Sequence, residues 1–172
     1  MGIVVAGFAV ITMLLVASSI MFNSFLNGSI SDAQSLTQMT QANVKRSGSA
    51  LNMISGDFYV GGNTDFTVHA DNTGSQSVPR LCEMDVIVKY TDESDNSVLT
   101  RLDYVSSGIG DNQWTLAGTG VTPDIFNPGI WDSDERMFID LRVKPAVKSG
   151  TSALVVVGSP WAVADQTSVI AP

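Results

Sequence analysis

Residues 3–26 read IVVAGFAVITMLLVASSIMFNSFL, and the reading of this stretch decides the fold. It carries no charge, and only Thr12, Ser18, Ser19, Asn23 and Ser24 interrupt its apolar character. At about 1.5 Å rise per residue, a helix of this length spans the roughly 30 Å hydrocarbon core of a bilayer. Residues 29–54, SISDAQSLTQMTQANVKRSGSALNMI, follow without a helix breaker. They place Ile30, Ala33, Leu36 (or Thr37), Thr40 and Val44 at three- and four-residue spacing on a polar background, which is helical periodicity. The pattern predicts one long helix, apolar all round at first and one-sided later, ending at Ser55-Gly56. Gly28 and Ser47-Gly48-Ser49 are its soft points.

Three roles compete for such a helix. A secretory signal peptide has a positive n-region and a shorter apolar core, whereas no Lys or Arg precedes Lys45 here. A membrane anchor needs only the apolar length. A helix that sits in lipid first and packs against copies of itself later also needs small residues for close approach. Ala6, Gly7, Ala9, Ala17, Ser18 and Ser19 provide them. Periodicity alone does not separate the last two roles.

The chain has 172 residues and a formal net charge of −8. Residues 1–56 hold one acid (Asp32) and two bases (Lys45, Arg46), leaving 16 acids and 7 bases in 57–172, a net of −9. That remainder is long enough for one domain with its own core. An acidic surface argues against nucleic acid, which selects basic patches, and fits a face turned to an exterior medium. The single cysteine, Cys82, excludes an internal disulfide framework and is expected as a small buried residue near a strand start.

From Asp57 onward the chain reads as short strands between turns. Phe66, Val68 and Ala70 alternate with polar neighbours, as do Val86, Val88 and Tyr90, and Met137, Ile139, Leu141 and Val143. Strands are also expected at 57–60, 98–105, 113–117 and 168–172, and Ala153–Val157 is a continuous apolar run expected to be covered on both faces. Asp71-Asn72-Thr73-Gly74-Ser75, Asp92-Glu93-Ser94-Asp95-Asn96 and Asn127-Pro128-Gly129 are turn signals. Seven or eight strands with no helix between them predict an antiparallel β-sandwich or barrel, so the fold class is α+β. The expected division is an N-terminal helix over 1–56 and an immunoglobulin-like outer domain over 57–172.

Catalytic signatures are missing from the text. One His (His69) and one Cys make no conventional zinc set, and no nucleophile elbow, phosphate loop or HExxH occurs. Gly108-Ile109-Gly110 is a lone glycine pair in a turn. The chain reads as a non-enzyme without a cofactor. Asp92 with Asp95, and Asp132 with Asp134, are weak calcium candidates without EF-hand spacing, and solvated turn charge is the simpler reading. Trp114, Trp131 and Trp161 are divided between core and contact roles.

A long apolar N-terminal helix running into an all-β domain resembles the type IV pilin-like proteins of archaea, and within them the archaellins. The resemblance rests on the block Ile3–Leu26, its extension to Ile54, Asp71-Asn72-Thr73-Gly74, Asn127-Pro128-Gly129 and the closing stretch Gly150–Val157. Bacterial type IV pilins carry Glu near the mature N-terminus, where this chain has Val5. The short basic leader of the family does not precede Ile3, so either the chain begins after processing or it never had one. The resemblance implies a structural subunit of an archaellum filament, used for motility and extracellular once assembled. Its assembly helix would comprise Ile3, Val4, Gly7, Phe8, Val10, Ile11, Leu14, Leu15, Ala17, Ser18, Phe22 and Leu26. Implied partners are copies of itself, the membrane before assembly, a leader peptidase and a secretion platform. The alternatives are an anchored stator-like accessory or adhesion-pilus subunit, and an anchored ligand-binding sandwich.

Overall fold

The computed structural model describes the backbone of residues 2–59 and 62–172, and their side chains except at 2–6, 8, 9 and 119. Val60 and Gly61, expected at a strand end and turn, lie outside the described residues. Two compact units divide between Asn43 and Val44.

Helix α1 runs Gly2–Gly48. It stops short of the expected end at Ser55-Gly56, because residues 51–58 leave the helical path and pair as strand β1 (Leu51–Phe58). The expected 56/57 boundary therefore falls inside β1. The chain turns at the soft point: Ser49 Oγ donates to Lys45 O, and Gly48 O accepts from the Ser75 and Gln76 amides at 2.7 and 3.2 Å. Helix-end carbonyls left without partners are thus satisfied from the loop after β2.

The remaining strands are β2 (Asp65–Asn72), β3 (Asp85–Thr91), β4 (Ser97–Tyr104), β5 (Gln113–Thr122), β6 (Arg136–Arg142), β7 (Ser152–Gly158) and β8 (Ala164–Ile170). Their order is β1-β2-β6-β5-β4-β3-β7-β8. All neighbours are antiparallel except β4 and β5, which meet in parallel over only two residue pairs, Asp103↔Gln113 and Tyr104↔Trp114. That short joint separates a β1-β2-β6-β5 layer from a β4-β3-β7-β8 layer. The order is the ABED-against-CFG arrangement of an immunoglobulin-like sandwich with one added edge strand. At the far edge the Met53 amide donates to Asp165 Oδ2 at 2.8 Å, drawing β1 towards β8. Gly56 permits this: a Cβ there would lie 2.7 Å from Val169, Val68 and the Thr67 carbonyl.

The alternation read from sequence places Phe66, Val68, Met137, Ile139, Leu141, Val86, Val88, Val155 and Val157 in one core, with Trp114 and Trp131 fully buried. Strand β5 runs five residues beyond expectation. Gly118 and Gly120, at φ +56° and +82°, carry a bulge where its register against β6 shifts between Leu116 and Val121. Cys82 is exposed, not buried. It sits in a 3-10 turn at 81–83, where Leu81 and Met84, three residues apart, take the inward positions. In β7 only Ala153, Val155 and Val157 are buried; Leu154 and Val156 face outward, half-exposed, so the strand is covered on one face.

Candidate assembly surface

The side chains of Ile3, Val4 and Phe8 lie outside the described residues. Gly7, Val10, Ile11, Leu14, Leu15, Ala17, Ser18, Phe22 and Leu26 all stand exposed on α1. None of the apolar window in this helix is covered by the rest of the chain. Ser18 Oγ folds back onto Leu14 O at 2.8 Å, as Thr37 and Thr40 do onto Ala33 and Leu36. Hydroxyls that bond their own helix present little polarity to lipid or to a packed neighbour.

Exposure does not end with the stretch a bilayer covers. Ile30, Leu36, Met39 and Val44 are between 56% and 65% exposed. At about 100° per residue they fall within one half of the helix circumference. A helix of 47 residues is about 70 Å long, more than twice the hydrocarbon thickness.

The last turn of α1 belongs to the sandwich unit. Besides the Gly48 carbonyl contacts, Ala50 O accepts from the Thr73 and Gly74 amides, both at 3.0 Å. Asn72 Oδ1 accepts the Gly74 amide, while its Nδ2 donates to Gln76 O and Trp131 O. The Lys45 ammonium lies 4.4 Å from the centre of the Trp161 ring, a cation–π contact on the same turn. The sequence marked Asp71–Gly74 as a turn; its use as the seat of the helix end was not legible.

The calcium candidates are turn builders. Asp92 is buried and accepts the Ser94 and Asn96 amides and Asn96 Nδ2 at 2.8–3.1 Å. These donors, the Asn96 amide first, hold its carboxyl below the usual carboxylate range. Asp95, in the left-handed region, is ion-paired to Lys148. Asp132 accepts from Asn127 Nδ2 at 2.9 Å and its own amide donates to Glu135 Oε2. Asp134, also left-handed, gives its amide to Asn72 O. No three His, Cys, Asp or Glu side chains among the described residues converge on a metal-sized site.

The outward side of β1-β2-β6-β5 is polar and internally paired. Arg136 grips Asp71 and Arg142 grips Asp65 through two bonds each, and Tyr59 donates to Asp140 at 2.6 Å. The Arg142 fork holds the Asp65 carboxyl below its usual range, and the Asp140 carboxylate pushes Tyr59 up to about 12. His69 lies half-buried on this side with its ring edge-on to Phe138, 4.6 Å between centroids. The outward side of β4-β3-β7-β8 differs: Leu99 is exposed, and Ile87, Leu154 and Val156 are half-exposed.

These elements define a class: a long, exposed N-terminal helix followed by an immunoglobulin-like sandwich. No protein-family model matches the chain, and no curated protein matches it in sequence. Among solved structures it is similar to archaellum components. The archaeal flagellum of Methanospirillum hungatei strain JF1 aligns at TM-score 0.55 and 13% identity, over 96% of this chain and 92% of that one. The archaellum periplasmic stator protein FlaG from Sulfolobus acidocaldarius aligns at TM-score 0.51 and 11% identity, over 70% of this chain and 98% of that one. At such identities the likeness is one of fold.

Proposed function

We propose that this chain is a structural subunit of an archaellum-type filament, polymerising through α1. The observation that carries the reading is the second half of the helix. An anchor needs about 20 apolar residues, yet Ile30, Leu36, Met39 and Val44 stay uncovered beyond them. Copies of the same helix, side by side, cover both halves at once. Extraction from lipid then exchanges one apolar surrounding for another, with close packing and small residues holding the bundle. Alignment with the flagellum structure over nearly the whole chain, helix included, supports the same reading. The family likeness adds a membrane-inserted pool, a leader peptidase and a secretion platform as partners, and a place on the cell surface after assembly.

An anchored stator-like accessory is the second reading. In its favour, the alignment with the stator protein takes in 98% of that chain and 70% of this one. Electron microscopy of cells with and without the gene, with mass spectrometry of sheared filaments, tests the two. The filament reading expects loss of filaments and this chain as a main component. Filaments of normal composition that lack the chain would replace it with the accessory reading.

A further inference from the structure

Helix α1 carries a single acid, Asp32, and it stands among apolar neighbours. At about 100° per residue it falls between Met39 and Leu36 on the helix circumference. It therefore lies inside the half that carries the exposed side chains of Ile30, Leu36, Met39 and Val44. Any cover laid over that half also covers Asp32, and a covered carboxylate without a cation is expensive.

The helix has two cations, Lys45 and Arg46, both in its last turn. Lys45 lies over the Trp161 ring. Arg46 is exposed and, like Asp32, has no ion-pair partner among the described residues. Arg46 follows Asp32 by fourteen residues, about 21 Å along the helix, too far for the two to meet within one chain. That interval is also close to a whole number of turns, so the two stand only ~40° apart around the axis.

A parallel neighbour displaced by the same length brings its Arg46 level with Asp32. The displacement has a second, independent effect on the exposed apolar residues. The neighbour's Ile30 draws level with Val16, and its Leu36 with Phe22. Its Met39 draws level with Phe25, and its Val44 with Ile30. Every residue so matched is large, apolar and exposed. A displacement one residue shorter leaves Leu26 as the only large apolar match, and one residue longer leaves only Leu15 and Met21. Charge and apolar pattern thus select the same displacement. A pattern complementary to itself under one translation is covered by a copy of the same chain.

Resting on the filament reading above, we propose that neighbouring α1 helices pack in parallel, displaced by about 21 Å, with Asp32 of one copy paired to Arg46 of the next. Each copy receives one arginine and gives one, so the contact is head-to-tail and propagates along a filament. A covered polar pair of this kind fixes register more than it adds stability. A bilayer over residues 3–26 leaves Asp32 beyond the hydrocarbon, so the pair forms only when helices pack.

The test uses the full-length chain in cells, with filament yield counted by electron microscopy and membrane levels of the chain followed in parallel. Asp32→Arg and Arg46→Asp, both at exposed positions, should each lower yield roughly tenfold or more, because each sets like charges together. The double variant should recover most of that loss. Co-expressing the two single variants should recover it too, since one brings only cations to the contact and the other only carboxylates. That recovery requires the pair to lie between copies. Normal yield from either single variant, or no recovery in either combination, refutes the pair. A helical reconstruction of wild-type filaments reads the displacement directly, and adjacent α1 helices offset by about 21 Å with Asp32 and Arg46 in salt-bridge contact are expected. Filaments built from this chain without that offset refute the register alone. Filaments that lack the chain refute the filament reading, and the register falls with it.

Discussion

Gly74→Ala probes the seat of the helix end. A Cβ at Gly74 would lie 2.4 Å from Ala50 N, 2.6 Å from Gly48 O and 2.9 Å from the Ser49 carbonyl carbon. All three are backbone atoms, so no side chain can swing aside. Segment 48–50 must retreat, weakening the four amide bonds that Thr73, Gly74, Ser75 and Gln76 give to Ala50 O and Gly48 O. Overpacking costs about 1–3 kcal/mol, and two lost bonds add about 0.5–1.5 kcal/mol each. A net loss of roughly 2–6 kcal/mol lowers the melting temperature of a unit this size by about 8–24 °C. The assay is thermal unfolding of the full chain in detergent, followed by the sheet signal in circular dichroism. Hydrogen exchange at Ser75 and Gln76 gives a local readout. Gly28→Ala, with nothing within 4 Å of the new Cβ, is the control and should leave sandwich melting unchanged. Melting of Gly74→Ala within about 2 °C of wild type, with Ser75 and Gln76 still protected, would show that the close approach does not hold the helix end.

Acid should destabilise the sandwich. Asp65 and Asp92 have depressed carboxyl pKa values, so the stability they contribute is complete above the unfolded value near ~4 and is lost as pH falls through the folded one. An Asp65→Asn, Asp92→Asn double variant should show a flatter loss of melting temperature below about pH 4, and an unchanged slope refutes the assignment. Millimolar calcium in place of chelator, at constant ionic strength, should leave the melting temperature unmoved, since Asp92, Asp95, Asp132 and Asp134 are committed to turns and pairs; a large rise, removed by Asp134→Asn, contradicts this. Val10→Asp, at an exposed helix position, should leave the sandwich folded and abolish filaments, because a charge deep in lipid costs roughly 2.5–3.5 kcal/mol and an unpaired charge in a bundle is expensive too.

The sequence was most readable where one periodicity had one cause. The apolar block over 3–26 and the alternations through Phe66, Val68, Ala70 and through Met137, Ile139, Leu141 led directly to α1, β2 and β6. It was least readable where pairing overrides local pattern. LNMISGDF continues a helical rhythm, and only β2 alongside, with Gly56 allowing β8 to approach, makes it β1. The apolar run in β7 looked buried on both faces because every residue in it is apolar; its outward members, Leu154 and Val156, are instead half-exposed. The parallel β4–β5 joint, two residue pairs long, that divides the two layers is likewise encoded by no local signal.

The central claim, that α1 packs against several copies of itself, is tested most directly by three substitutions on different sides of the helix. At about 100° per residue, Gly7, Ser19 and Ala17 point in directions at least ~80° apart from one another, so no single partner faces them all. Each is open in the isolated chain: nothing lies within 4 Å of a Cβ at Gly7, and Ala17 and Ser19 are exposed. Leucine at any of them is harmless in lipid, whereas in a packed bundle it overpacks by roughly 1–3 kcal/mol in every copy. The measurement is filament length and yield by electron microscopy for Gly7→Leu, Ala17→Leu and Ser19→Leu, with membrane levels of the chain followed in parallel. The account predicts normal membrane levels for all three and short or absent filaments for at least two. Full-length filaments from all three would contradict it.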